Sequence, residues 1–178
     1  MDTTAEDEKI FLEGTGSLLL DLVNKKAYCA LSDRAHEDLI IEFCEDFEYT
    51  PVIFSALQTK DHKRLPIYHT NVMMALGEHI AIICLDSIDD KKEKRLVVKN
   101  LKEDKKEIIE ISEEQMHQFA GNMLQVKGAN ESKYTVLVNK KISLKKVFYS
   151  FGRNTSAIIH RALPPPQVSI VCKSLLKI

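Results

Sequence analysis

The sequence predicts an α/β fold assembled from ββαβ modules. Apolar runs of strand length come in pairs around short polar turns. Each pair is followed by a stretch of helical period and then by another apolar run. This order recurs at an interval of about 40 to 60 residues, the mark of a repeat architecture.

The elements follow in chain order. "GSLLLDLVNKKAYCALS" reads as a hairpin turning at "NKK". "SDRAHEDLIIEFCEDF" reads as an amphipathic helix, with Ser32 as its N-cap and Ala35, Leu39, Ile40 and Phe43 at helical spacing. "TPVIFSAL" is a buried strand and "QTKDHKRLP" a loop. "YHTNVMMALGEHIAIICLDSI" is a second hairpin turning at Gly77-Glu78-His79, with strands apolar enough to be covered on both faces. "DDKKEKRLVVKNLKEDKK" is a charged helix or loop, and "EIIEIS" the strand after it. Ser112 and Gln115 form a capping box for a short helix. "GNMLQVKG" and "KYTVLVN" make a third strand pair.

Composition narrows the classes of function. The chain has 178 residues, 44% of them hydrophobic, and a net charge of −1. It has no global field for nucleic acid or an anionic membrane. Its lysine clusters are interleaved with acids, as on a solvated face. No apolar run reaches the ~20 residues of a membrane span, and "MDTTAEDEKI" has no signal-peptide character. Cys29, Cys44, Cys84 and Cys172 are widely spaced, without a CxxC pair, which fits packed thiols in a reducing cytoplasm rather than disulfides or a zinc site.

Few residues are placed to carry chemistry. Glu13, in "FLEGTGS", precedes a Gly-Thr-Gly turn at a strand start, where a carboxylate either faces a pocket or caps its own backbone. His69 and Asn71, in "PIYHTNVMM", fall on one side of an incoming strand by the period of two. His69 is the best placed of the six histidines: His36, His62, His79 and His117 lie in polar helix or turn contexts, and His160 lies near the end. Asn122, in "QFAGNML", either holds a turn or reaches a ligand.

Taken together, "FLEGTGSLLLD", "PIYHTNVMMALGEHIAIICLDSI" and "QFAGNMLQV" closely resemble the amidinotransferase family of citrulline-utilisation hydrolase type, within the pentein superfamily of arginine deiminases and dimethylarginine hydrolases. The resemblance runs from about Ile10 to Asn139 and covers the C-terminal portion of that family, with three motifs in the family's order. It implies a pentein α/β-propeller of five ββαβ modules, here incomplete, around a pocket for a small guanidino or ureido compound. A cysteine thiolate would attack the amidino carbon, and water would release the covalent intermediate. Glu13 would orient the catalytic histidine and hold the cationic substrate, His69 would be the general acid and base, and Asn71 would line the pocket. The resemblance calls for no metal and no organic cofactor.

The same resemblance sets expectations for the rest of the chain. The family's N-terminal modules are expected to be absent, since Met1 lies shortly before Glu13. The family's closing "CGGGSARC" loop, which carries its nucleophile, does not occur, and Cys172 in "SIVCKSL" has no glycines before it. In their place stands "HRALPPPQVSIVCK". Proline and glycine codons are complementary, and with synonymous codons freely chosen the opposite strand of Tyr149–Val171 encodes "CGGGSARC" in one frame. The chain is therefore expected to divide into residues 1–139, a partial amidinotransferase-like domain, and 140–178, an unrelated tail of antisense or frame-aberrant origin. The expected function is that of a fragment of a C–N hydrolase, inactive as it stands, with strand edges open to self-association. The alternative is an interaction protein whose "LPPP" docks in a proline-binding groove.

Overall fold

The computed structural model describes residues 10–127 and 133–137. The first module opens with a single helical turn, α1 (Gly14–Ser17), which feeds β1 (Leu18–Asp21) and β2 (Lys26–Leu31). Helix α2 (Glu37–Asp46) then returns the chain to β3 (Thr50–Ser55). β1 and β2 are antiparallel, and β3 joins β2 in parallel, as a crossover through a helix requires. A hairpin of β4 (Leu57–Lys60) and β5 (Lys63–Pro66) leads to the second module.

The second module repeats the first. A helical turn, α3 (Thr70–Met73), feeds the antiparallel pair β6 (Met74–Leu76) and β7 (Ile80–Ile83). A 3-10 turn at Leu85–Ser87 and helix α4 (Lys91–Glu103) bring β8 (Glu107–Glu110) parallel to β7. The short α5 (Glu113–His117) precedes a third antiparallel pair, β9 (Met123–Lys127) and β10 (Lys133–Leu137). The described sheets are two of three strands and two of two strands, with no closed sheet among them.

Local chemistry accounts for these elements. Asp21 closes β1 by accepting from the backbone N–H groups of Val23 and Asn24, both at 3.2 Å, and Lys25 takes a left-handed φ of 51°. Asp90 caps α4 by accepting from Lys92 and Glu93 at 2.7 and 2.9 Å. Ser112 and Gln115 complete the expected capping box. β2 is buried along Ala27–Ala30 and β7 along its whole length, so both run as apolar rather than alternating strands.

Three readings of the sequence are corrected. Ser32 does not cap α2. His36 does, its Nδ1 accepting from Asp38 N–H at 3.4 Å, while Ser32 pairs with Ala35 in an isolated bridge. The stretch read as a loop contains the β4–β5 hairpin, whose turn residues Asp61 and His62 both have positive φ. Arg64 fastens that hairpin to Asp89 and Glu113. Finally, "PIYHTNVMM" is not an incoming strand. His69 is extended, and α3 begins at Thr70.

One core joins the modules. Tyr28, Val52 and Phe54 of the first pack with Met73, Ile82, Val97, Leu101 and Ile111 of the second. A smaller cluster, including Leu18, Cys29, Ile40 and Cys44, lies under α2. Ion pairs made by two lysines cross the same boundary. Lys106 meets Asp21 at 2.8 Å, with side chains 1% and 3% exposed, and also donates to the carbonyls of Gly77 and Glu78. Lys26 meets Asp104 at 2.8 Å. Burial pushes the Asp21 carboxyl up, but hydrogen bonds from Lys106 and Asn24 outweigh it, so the group titrates below its ordinary range.

Candidate active site

Glu13 and His69 each occupy the position just before the helical turn that opens a module. Glu13 is held by short antiparallel contacts: its N–H donates to Arg34 O at 2.8 Å, and His36 N–H donates to Phe11 O at 2.8 Å. His69 is held through its neighbours. Ser32 Oγ donates to Tyr68 O at 3.0 Å. The buried Thr70 hydroxyl donates to Ser17 O and accepts from Ala30 N–H, bolting the start of α3 to the end of α1 and to β2.

This bolt brings the two turns side by side and their leading residues into contact. His69 Nε2 lies 2.7 Å from Glu13 Oε2. The histidine side chain is 20% exposed and the glutamate 49%, so the pair sits at the mouth of the seam between modules. Arg34 Nη1 reaches the same carboxylate oxygen at 3.4 Å, and its guanidinium lies 5.4 Å from the Tyr68 ring centroid. Tyr68 in turn lies 5.0 Å from the His69 ring. A carboxylate against an imidazole fixes the orientation of the ring, an arrangement that proton transfer uses.

The family described as N,N dimethylarginine dimethylhydrolase, eukaryotic, matches residues 1–162. The chain belongs to this family. The matched span takes in both turns and continues past residue 139. Solved structures share the fold of this dimethylarginine dimethylhydrolase family member. One is the substrate-bound N-terminal domain of ArgZ, an arginine dihydrolase of the ornithine-ammonia cycle in cyanobacteria. It is 18% identical with a TM-score of 0.53, over 82% of this chain and 50% of that one. Another is the ternary complex of AgrE with ornithine and NAD+, 20% identical with a TM-score of 0.56, over 83% of this chain and 19% of that one. The chain thus spans half of the ArgZ domain. No curated protein matches it.

The remaining candidates of this family member fall as follows. Asn71 is the second residue of α3 and half-buried, so the alternation that placed it beside His69 does not apply. Asn122 ends a turn, its N–H donating to Phe119 O at 3.1 Å ahead of β9. That turn packs against α3: a Cβ on Gly121 would strike Val72 O and the Met73 backbone. Cys29, Cys44 and Cys84 are free and buried. Burial pushes all three thiols up, Cys29 to about 12, so none is a ready thiolate. Cys172, His160 and the whole proline stretch lie outside the described residues. Among the described residues no three His, Cys, Asp or Glu side chains converge on a metal position, and no helix is long and apolar enough to cross a membrane.

Arg34 is the site residue that sequence reasoning missed. Arg34 lies 21 positions from Glu13, and only the pairing of Phe11–Glu13 with Arg34–His36 brings it close. "SDRAH" gives no local signal of that pairing.

Proposed function

We propose that this chain carries the acid–base half of a cysteine-dependent hydrolase of amidino, guanidino or ureido C–N bonds in arginine- or citrulline-type compounds. The observation that carries the reading is the 2.7 Å contact between His69 and Glu13 at the open end of the module seam. In the reaction a thiolate attacks the planar carbon, and the C–N bond to the leaving amine breaks as His69 gives that amine a proton. His69 then takes a proton from water, which attacks the covalent intermediate and frees the thiol. Glu13 Oε2 is engaged by His69 and Arg34, while Oε1 has no partner among the described residues and accepts an N–H of the planar substrate. Asn71 and Asn122 line the substrate side, on the two turns that pack together. The finer family assignment, to the citrulline-utilisation type, belongs to this reading, as does a propeller of which the described modules are part.

The thiolate is what this chain does not supply. All three described cysteines are buried with raised pKa values, and the segment 140–178, read as an antisense tail, offers Cys172 without a glycine-rich loop. The chain as it stands therefore binds without turning over, in the cytoplasm, and self-associates through strand edges. Calorimetry with arginine, N-methylated arginines and citrulline tests the first part. Binding that is lost in E13A is expected, and absence of any binding overturns the substrate class. Release of ammonia or amine, abolished by C172S, would overturn the inactive reading. Translation of the complementary DNA strand tests the tail: without a glycine-rich frame its antisense origin fails.

A further inference from the structure

A Cβ built on Gly16 would lie 2.7 Å from His69 Nδ1 and 3.0 Å from both Cε1 and Cγ. Near-equal distances to Nδ1 and its two ring neighbours place that point over the ring face rather than in the ring plane. Gly16 is thus the floor on which the imidazole lies. The ring's in-plane edges are left for hydrogen bonding. Nε2 points to Glu13 at 2.7 Å, and Nδ1 has no hydrogen-bond partner among the described residues. An imidazole nitrogen facing a carboxylate carries the hydrogen, so the neutral ring holds its hydrogen on Nε2 and presents a lone pair at Nδ1.

We infer that Gly16 is a positioning residue: it sets the His69 ring so that Nε2 is tied to Glu13 and Nδ1 is the atom that takes and gives the proton. A methyl group at position 16 has to move something, and the ring is the group able to give, because a side chain rotates more easily than backbone. Rotation breaks the contact with Glu13 and removes the preference between the two nitrogens. Gly14, two residues earlier, has nothing within 4 Å of a built Cβ and carries no such constraint.

The inference rests on the acid–base role proposed for His69, but its test reads the ring directly and needs no turnover. The full chain is labelled with 15N-histidine, and the His69 signals are assigned by their loss in H69Q. The long-range proton–nitrogen spectrum should show His69 in a single Nε2–H form in the wild type and in G14A. In G16A the two forms should mix, as they should in E13A. Retention of the single form in G16A, or its equal loss in G14A, overturns the inference. If G16A folds poorly, the melting temperatures of a double-mutant cycle decide. The drop caused by G16A should vanish in the H69A background, where no ring stands above position 16. An equal drop in both backgrounds shows that Gly16 serves the backbone rather than His69, and sinks the assignment. Failure to bind guanidino compounds would sink the proposed function and leave these results unchanged.

Discussion

Replacing Lys106 by methionine removes one half of an ion pair whose side chains are 1% and 3% exposed. Three interactions go at once: the 2.8 Å contact with Asp21 and the bonds to Gly77 O and Glu78 O at 3.0 and 3.1 Å. Breaking one side of a buried pair costs roughly 3–5 kcal/mol, because a charge is left buried without its partner. Asp21 keeps the N–H groups of Val23 and Asn24 and the Asn24 amide, which puts the expected cost near the lower end, about 3 kcal/mol. For a chain of this size that corresponds to a fall in melting temperature of about 6 to 12 °C.

The pH dependence has a definite sign. In the wild type the Asp21 carboxyl titrates below its ordinary value of 3.8, so its contribution is present above that pH and is lost as pH falls through the lower folded value. In K106M the burial that pushes the carboxyl up meets less opposition. The folded form then takes up a proton more readily than the wild type does, so the deficit shrinks as pH falls from neutrality into the carboxylate range. Urea unfolding of the wild type, K106M, D21N and D21N/K106M across that range is the assay. The double variant should recover at least about 1 kcal/mol of the summed single losses. Additive losses, or a K106M cost within about 0.5 kcal/mol of zero, would refute the claim that this pair docks the two modules.

Two other outcomes are expected. In a C172S background, Cys29, Cys44 and Cys84 should resist a thiol reagent at neutral pH until the protein is unfolded, since all three are buried and Cys29 is pushed up to about 12; labelling of the native protein, read by mass spectrometry, would contradict the packing. G121A should lower stability by about 1–3 kcal/mol in chemical denaturation, because its methyl group meets the Val72 carbonyl and the Met73 backbone rather than a movable side chain; a neutral effect would mean that the third turn does not rest on α3.

Most of the secondary structure was legible because it is written locally. The apolar runs of β2 and β7, the Ser112–Gln115 box and the Gly77-Glu78-His79 turn each carry their signal within a few residues. The β4–β5 hairpin was not legible. Most of its residues are exposed, so it has no buried apolar alternation to read, and it is held by Arg64 reaching distant carboxylates. The α2 cap was misplaced because Ser32 and His36 both precede the helix, and the bridge to Ala35 claims the serine. Glu13 and His69 could be picked out from their motifs, and the structure puts them in contact. Arg34 and Gly16 meet them only through tertiary pairing, and Asn71 was assigned by a strand period in what is a helical turn.

The Asp61-His62 turn falls between the two modules, with Glu13 on one side of it and His69 on the other. A chain cut at that turn would leave each fragment holding one partner of the pair. Neither fragment could form the contact alone, and its return would report that Lys26 and Lys106 had re-engaged Asp104 and Asp21 across the boundary. The Glu13–His69 contact is therefore a coincidence detector for module assembly: wherever it exists, both halves have already found each other.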